Sequence, residues 1–179
     1  MNHSLRILYD EHNVIANALE VAKNADTLIG KNDVEYENTI RELIHFFRSY
    51  ADEYHHQKEE LILFPEMIKR NQMLAEGVLK EMVDNHEDFR EMIRSIEKRL
   101  EEKKYPEAQK LIENYANALL DHIAAENEEV FPMAETLMSE IELDNIYYRF
   151  KDNDKELGEK KKEGLIDMSE SLRKILYDI

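Results

Sequence analysis

Apolar residues recur along this chain at steps of three and four, the spacing that sets them on one face of a helix. The first stripe reads Leu5, Leu8, His12, Ile15, Leu19 and Ala22, and it predicts a helix over about 4–28 with one polar residue, His12, on its buried face. Gly30-Lys31-Asn32 is a turn, and Asn32 and Glu35 have capping-box spacing for the next helix. That second helix carries Ile40, Ile44, Phe47, Ala51, His55, Glu59 and Ile62 on one face. His56 and Glu60 continue a different row, with His45, Ser49 and Asp52, which is polar and expected at the rim. Pro65 has no N–H for the Leu61 carbonyl, so a kink or helix end is expected there, with 69–77 as the connection. A third stripe reads Leu79, Met82, His86, Phe89, Ile93, Ile96 and Leu100, again with one polar intruder. Pro106 suits the first position of a fourth helix, whose inner face is Leu111, Tyr115, Leu119, His122, Glu126 and Val130.

The polar residues inside these stripes repeat. His55 and Glu59 stand four apart, followed by Phe64-Pro65; His122 and Glu126 stand four apart, followed at the same distance by Phe131-Pro132. Leu8–His12–Ile15–Leu19 and Met82–His86–Phe89–Ile93 also share their spacing, so the chain reads as two helical hairpins of one design. Residues i and i+4 lie one turn apart on a helix, so each His-x-x-x-Glu presents a nitrogen and a carboxylate together. His12, His55, Glu59, His86, His122 and Glu126 therefore form a candidate two-metal site. Unpaired buried carboxylates cost roughly several kcal/mol or neutralise by shifting their pKa, a cost that a metal pair removes. The bland alternative is a metal-free polar network, and for His12 or His86 alone a hydrogen-bonded core histidine.

Four imidazoles and two carboxylates suit iron, manganese or zinc, and the nitrogen-rich set leans towards two iron ions. If both glutamates bridge, each metal keeps an open position, which favours reaction with a small ligand. The ferritin-like arrangement needs two Glu-x-x-His motifs; this chain has one, Glu53 to His56, and its glutamate falls on the polar row. His56 reads either as a hydrogen-bonding partner of a ligand or as a solvated side chain, and Glu60 as a possible further ligand. His3 and His45 read as surface residues. Tyr9, Tyr54 and Tyr115 fall within a turn of the candidates, where core packing, pocket lining and redox chemistry are all open.

Composition narrows the classes. Of 179 residues 42% are hydrophobic and 36% charged, with four Gly and three Pro, which favours an all-α fold. The absence of cysteine excludes disulfides, thiolate catalysis and Cys-ligated clusters. A net charge of −16 argues against nucleic acid and anionic membrane surfaces as partners. No apolar run approaches membrane-spanning length and no leader-like segment opens the chain, so a cytoplasmic location is expected. Past Met133 the chemistry thins. Ile146, Tyr147, Phe150 and Leu157 could pad the bundle, and a Lys/Glu-rich break from Gly158 to Gly164 precedes an amphipathic segment, Leu165 to Leu176. Residues 1–140 are expected to form the bundle and 141–179 a helical extension that docks on it or pairs with a second subunit; monomer and homodimer both remain open.

The run His55-His56-Gln57-Lys58-Glu59-Glu60 with Leu63-Phe64-Pro65, joined to the second His-x-x-x-Glu and Phe-Pro, resembles the hemerythrin-like (HHE cation-binding) domain. Asp10-Glu11-His12 and Asn85-His86-Glu87 look like its other ligand segments, so the resemblance spans about 3–140. It implies an up-down-up-down four-helix bundle around a non-haem diiron centre able to bind dioxygen, nitric oxide or peroxide. The oxygen carriers of that family have five histidines, including His-x-x-x-His on the third helix and His-x-x-x-x-Asp on the fourth; here Arg90 and Glu126 stand instead. The set is more similar to the branch with four histidines and two glutamates, which includes iron-centre repair proteins and an iron-sensing ubiquitin-ligase subunit. The repair proteins use a cysteine-containing segment, and this chain has no cysteine. Three readings follow: a diiron protein that binds or reduces a small oxidant, an iron-storing or iron-sensing module without turnover, and a metal-free structural bundle.

Overall fold

The computed structural model describes residues 2–177, with side-chain surroundings for 2–174, and every regular element in it is helical. Helix α1, His3–Asn24, is capped by the Asn2 side chain and ends in a 3-10 turn, Ala25–Leu28. Helix α2 is one run over 33–70, entered through Asn32, whose side chain accepts the Glu35 N–H at 3.1 Å. Helix α3 is Val78–Glu101, α4 runs over 105–137 with Pro106 in its first turn, α5 is Glu140–Leu157 and α6 is Glu159–Tyr177. A reciprocal capping box, Ser139 with Glu142, starts α5. α3 packs along α4 and α1 along α4, while α5 and α6 both lie against α1 and α2.

Pro65 does not end or break its helix. The turn before it widens to a π-turn, Glu59–Leu63, in which the Phe64 N–H reaches the Glu59 carbonyl, and the helix resumes as Phe64–Arg70. The second motif does the same: π-turn Glu126–Val130, Phe131 N–H to Glu126 carbonyl, then Phe131–Leu137. An α-turn would push each proline ring against the carbonyl four residues back. Widening to i→i+5 relieves that clash, and such bulges gather at functional sites. A longer π stretch, Phe47–His56, lies just upstream in α2.

The core has two apolar clusters. One contains Ile15, Leu19, Ile40, Phe47, Tyr54, Phe89, Ile93, Tyr115 and Leu119, and the other Leu5, Leu8, Leu63, Phe64, Met82, Val130, Phe131 and Phe150. On each of α1 to α4 the candidate ligands sit between the two. His12 falls between Leu8 and Ile15, and His86 between Met82 and Phe89. A polar layer thus crosses the middle of an apolar interior.

The extension joins both clusters. Leu143, Ile146 and Phe150 of α5 enter one, and Leu165 and Leu172 of α6 enter the other. The expected break over 158–164 shrinks to Gly158, which takes a positive φ of 103° that a side chain would strain, and α6 starts directly after it. The side chain of Leu176, expected at the end of the amphipathic segment, lies outside the described residues. Because Phe150 is fully buried beside Leu5 and Leu8, Phe150→Ala should destabilise the chain by about 3–5 kcal/mol. Urea unfolding would show it as a lower midpoint at an unchanged slope.

Candidate metal centre

The structure sorts the candidates into two adjoining groups. His12 of α1, His55 and Glu59 of α2 and Glu126 of α4 each place a ligand atom within 4.8 Å of the others. His86 of α3 and His122 of α4 form the second group together with His56, on the same criterion. All seven side chains are buried, and both glutamates are fully so.

The glutamates face both groups. Glu59 Oε1 lies 3.4 Å from His55 Nε2, and its Oε2 lies 3.6 Å from His86 Nε2. Glu126 Oε2 lies 3.2 Å from His12 Nε2, and its Oε1 lies 3.3 Å from His122 Nε2. Yet among the described residues His12 Nε2, His55 Nε2 and all four carboxylate oxygens have no hydrogen-bond partner. His86 Nε2 and His122 Nε2 meet at 3.0 Å. Buried polar atoms are otherwise almost always paired, so this convergence fits cations held between the side chains. The donors are nitrogen and oxygen only, a set suited to a borderline transition metal.

Each imidazole is held from behind. His55 Nδ1 donates to Glu11 Oε2 at 3.0 Å, His86 Nδ1 to Glu60 Oε1 at 2.7 Å, and His56 Nδ1 lies 3.4 Å from Asp52 Oδ1. His12 Nδ1 meets Asn127 Oδ1 at 2.8 Å, and the Asn85 amide approaches His122 Nδ1 at 3.4 Å. An ionised carboxylate can only accept, so the proton of His55, His56 and His86 sits on Nδ1 and the Nε2 lone pair faces inward. Outer partners of this kind fix ring orientation and raise ligand basicity. Burial and the neighbouring His12 push His55 down to about 4, with Glu11 offsetting part of it. Burial likewise holds His56 well below the ordinary value, together with His86, and lowers His86 itself. These rings are neutral at pH 7, as metal ligation requires.

The family model described as the Hemerythrin HHE cation binding domain matches residues 3–134. The chain belongs to that family. No curated protein and no solved structure matches it.

Within the HHE fold of this chain, several residues stand apart from their expected places. His56 was expected on a polar rim but is only 3% exposed, stacked on His86 with ring centroids 3.8 Å apart. Ser49, from the same row, is buried as well. The structure therefore gathers five histidines with the two glutamates, not four. The π stretch Phe47–His56 changes the angular step along α2, so two adjacent histidines both reach the interior. Glu60 is turned outward, to His86 Nδ1 and Arg90. Arg90 also grips Asp52, with Nη2–Oδ1 at 2.7 Å, and so ties together the carboxylates behind His56 and His86. Burial alone would raise the Asp52 carboxyl, but His56 and Arg90 outweigh it and hold it well below the usual range.

Glu11 and Lys58, quoted above only as parts of the family-like runs and given no role there, are both buried. The signal for Glu11 was its place beside His12; nothing in the spacing marked Lys58. Tyr9 donates to the Asn127 carbonyl at 2.6 Å, Tyr54 bonds at the α5–α6 junction, and Tyr115 packs against Phe47 and Phe89. His3 and His45 are exposed. A cavity of about 300 Å³ reaches His56 and His86, with Phe89 and Tyr115 on its walls and Arg48 and Arg94 among its lining residues.

Glu59 carries an unrelieved electrostatic burden in the metal-free chain. Burial and the charge of Glu126, then Glu11 and Glu60, push its carboxyl well above the ordinary range. For Glu126 burial pushes the same way, but His122 and His12 outweigh it and hold that carboxyl well below the range. An acid with a raised folded-state pKa costs stability as pH rises from its unfolded value through its folded one. Metal-free Glu59→Gln should therefore be more stable than the parent at pH 7, by about 1–3 kcal/mol. The gain should shrink towards about pH 4, where the unfolded carboxyl is protonated as well. Urea unfolding of chelator-treated chains at both pH values checks this.

Proposed function

We propose that this chain is a diiron protein that binds or reduces a small oxidant, such as dioxygen, nitric oxide or a peroxide. The observation that carries the reading is that each buried glutamate offers one oxygen to either histidine group, with those oxygens otherwise unpartnered. His12 and His55 would hold one iron, His56, His86 and His122 the other, and Glu59 and Glu126 would bridge them. Five imidazoles disfavour manganese, and the five protein donors on the three-histidine side exceed the four that zinc usually takes, which favours iron. The first four helices would run up-down-up-down, as short connections between neighbouring helices favour.

When bound, such a pair supplies Lewis acidity and an exchangeable electron store for a small ligand. The residues of the chain supply the rest. The half with two histidines has one protein donor fewer, so it is the more open of the two, where the sequence pattern suggested equal halves. Phe131 stacks on His12 at 5.4 Å and Tyr9 packs against Phe131, so the ligand on that side meets an apolar aromatic wall. That wall keeps bulk water from the open half. Among the described residues no ionisable side chain other than the ligands and Glu11 is hydrogen-bonded to either ring of this half, which suits a neutral ligand over a charged substrate.

Protein purified without chelators, or loaded anaerobically with iron(II), should hold two irons per chain, the number that two bridging carboxylates imply. Glu59→Ala and Glu126→Ala should each hold at most one. Two irons retained by either variant would sink the bridging assignment. Iron-dependent change in helix content with no spectral response to dioxygen, nitric oxide or peroxide would favour storage or sensing instead.

A further inference from the structure

Behind His55 lies a second buried cluster, made of two carboxylates and two ammonium groups from four helices. Glu11 of α1 accepts from His55 Nδ1 through one oxygen. Through the other it accepts from Lys58 at 2.8 Å and from Lys162 of α6 at 2.5 Å. Asp154 of α5 lies 2.5 Å from the Lys58 ammonium and 2.6 Å from that of Lys162. Lys58 is fully buried and completes its coordination with the Tyr54 carbonyl at 2.5 Å. The four charges sum to zero in a largely buried place, where removal of any one leaves an uncompensated charge.

Half of this cluster comes from beyond the matched family region, which ends at residue 134. The Tyr54 hydroxyl lies 2.9 and 2.8 Å from the Leu157 and Gly158 carbonyls, at the α5–α6 junction. Lys161 pairs with Glu53 on the same surface. The junction is thus seated on residues 53, 54 and 58, which flank His55 and Glu59.

We propose that the C-terminal helix pair is a working part of the metal centre, with Asp154 and Lys162 acting as positioning residues that set the electron affinity of the His55 half through Glu11. The inference rests on the two-iron reading above. Lys162 draws charge from the Glu11 carboxylate and so limits how strongly that carboxylate pulls on the His55 Nδ1 proton. Without the ammonium, Glu11 polarises the imidazole more, the ring donates more to its cation, and the oxidised state gains. Asp154 acts oppositely, by sharing the two ammonium groups with Glu11. Without its charge both lysines turn to Glu11, and the reduced state gains. A helix pair whose docking carries these charges could report its own displacement to the metals.

The test is the reduction potential of the full-length, iron-loaded chain and of Lys162→Met, Asp154→Asn, Lys162→Arg and Lys161→Met. Lys162→Met should lower the potential and Asp154→Asn should raise it, each by about 59 mV, a tenfold change in the oxidised-to-reduced ratio of a one-electron couple. Lys162→Arg should restore most of the parent value, and Lys161→Met, which loses the exposed Glu53 pair and its place over the Tyr54 ring but no bond to Glu11 or Asp154, should move it far less than Lys162→Met does. Shifts of the same sign in Lys162→Met and Asp154→Asn, or none in either, would overturn the proposal, because loosened packing has no reason to give opposite signs. If Lys162→Met fails to fold, the sign of the Asp154→Asn shift decides. A parent chain that binds no iron would remove the two-iron reading itself, which iron content shows before any potential is measured.

Discussion

Two carboxylates are buried in the centre of this molecule without a hydrogen-bond partner among the described residues, and much of the interior is arranged around that fact. Glu59 and Glu126 lie where the two apolar clusters meet, and neither cluster can close over them without cost. The side chains that surround them are imidazoles: the inward nitrogens of His12 and His55 have no hydrogen-bond partner among the described residues, and those of His86 and His122 meet only each other. In the metal-free state this layer combines desolvated charge, like-charge repulsion and facing lone pairs. A pair of cations reverses each of those terms at once. The apolar clusters on either side then supply the stability that lets such an unfavourable layer persist before metal arrives.

Much of this was legible in the pattern of residues. Stripes of period three to four fix the faces of α1 to α4, and a lone polar residue in an otherwise apolar stripe marks His12 and His86 without any knowledge of the fold. What the pattern could not show is where a helix stops being an α-helix. A period of 3.6 places His56 on the rim row with His45 and Ser49, and the π stretch over Phe47–His56 invalidates that period just where it matters. The prolines held a clue in plain view. Phe-Pro repeats at the same distance after each glutamate, and a π-turn is the device that lets a helix pass through proline while keeping its axis.

Charge burial was the other illegible feature. Nothing local distinguishes Lys58, fully buried, from Lys69, which pairs with Glu66 at the surface. The difference is made by Asp154 and Lys162, about a hundred residues further along, once α5 and α6 lie against α1 and α2. Glu11 is similar. On a helical wheel it neighbours the His12 stripe, but its burial depends on lysines that only the tertiary fold delivers. Burial raises its carboxyl, and His55, Lys58 and Lys162 outweigh that and hold it ionised.

These two features combine into an asymmetry between the halves of the centre. The half with three histidines is backed by Asp52, Glu60 and Arg90, all from α2 and α3, and borders a cavity. The half with two histidines is backed by Asn127 and by the charge cluster that α5 and α6 complete. On the two-iron reading proposed above, the open position falls on the second side, while the cavity borders the first. The sequence repeat that generated two similar hairpins therefore did not generate two similar surroundings for the two histidine groups. His-x-x-x-Glu is duplicated, but its surroundings are set by Arg90 in one half and by the C-terminal helices in the other. Chemistry that needs one metal to stay closed and its neighbour to open is what such an arrangement favours.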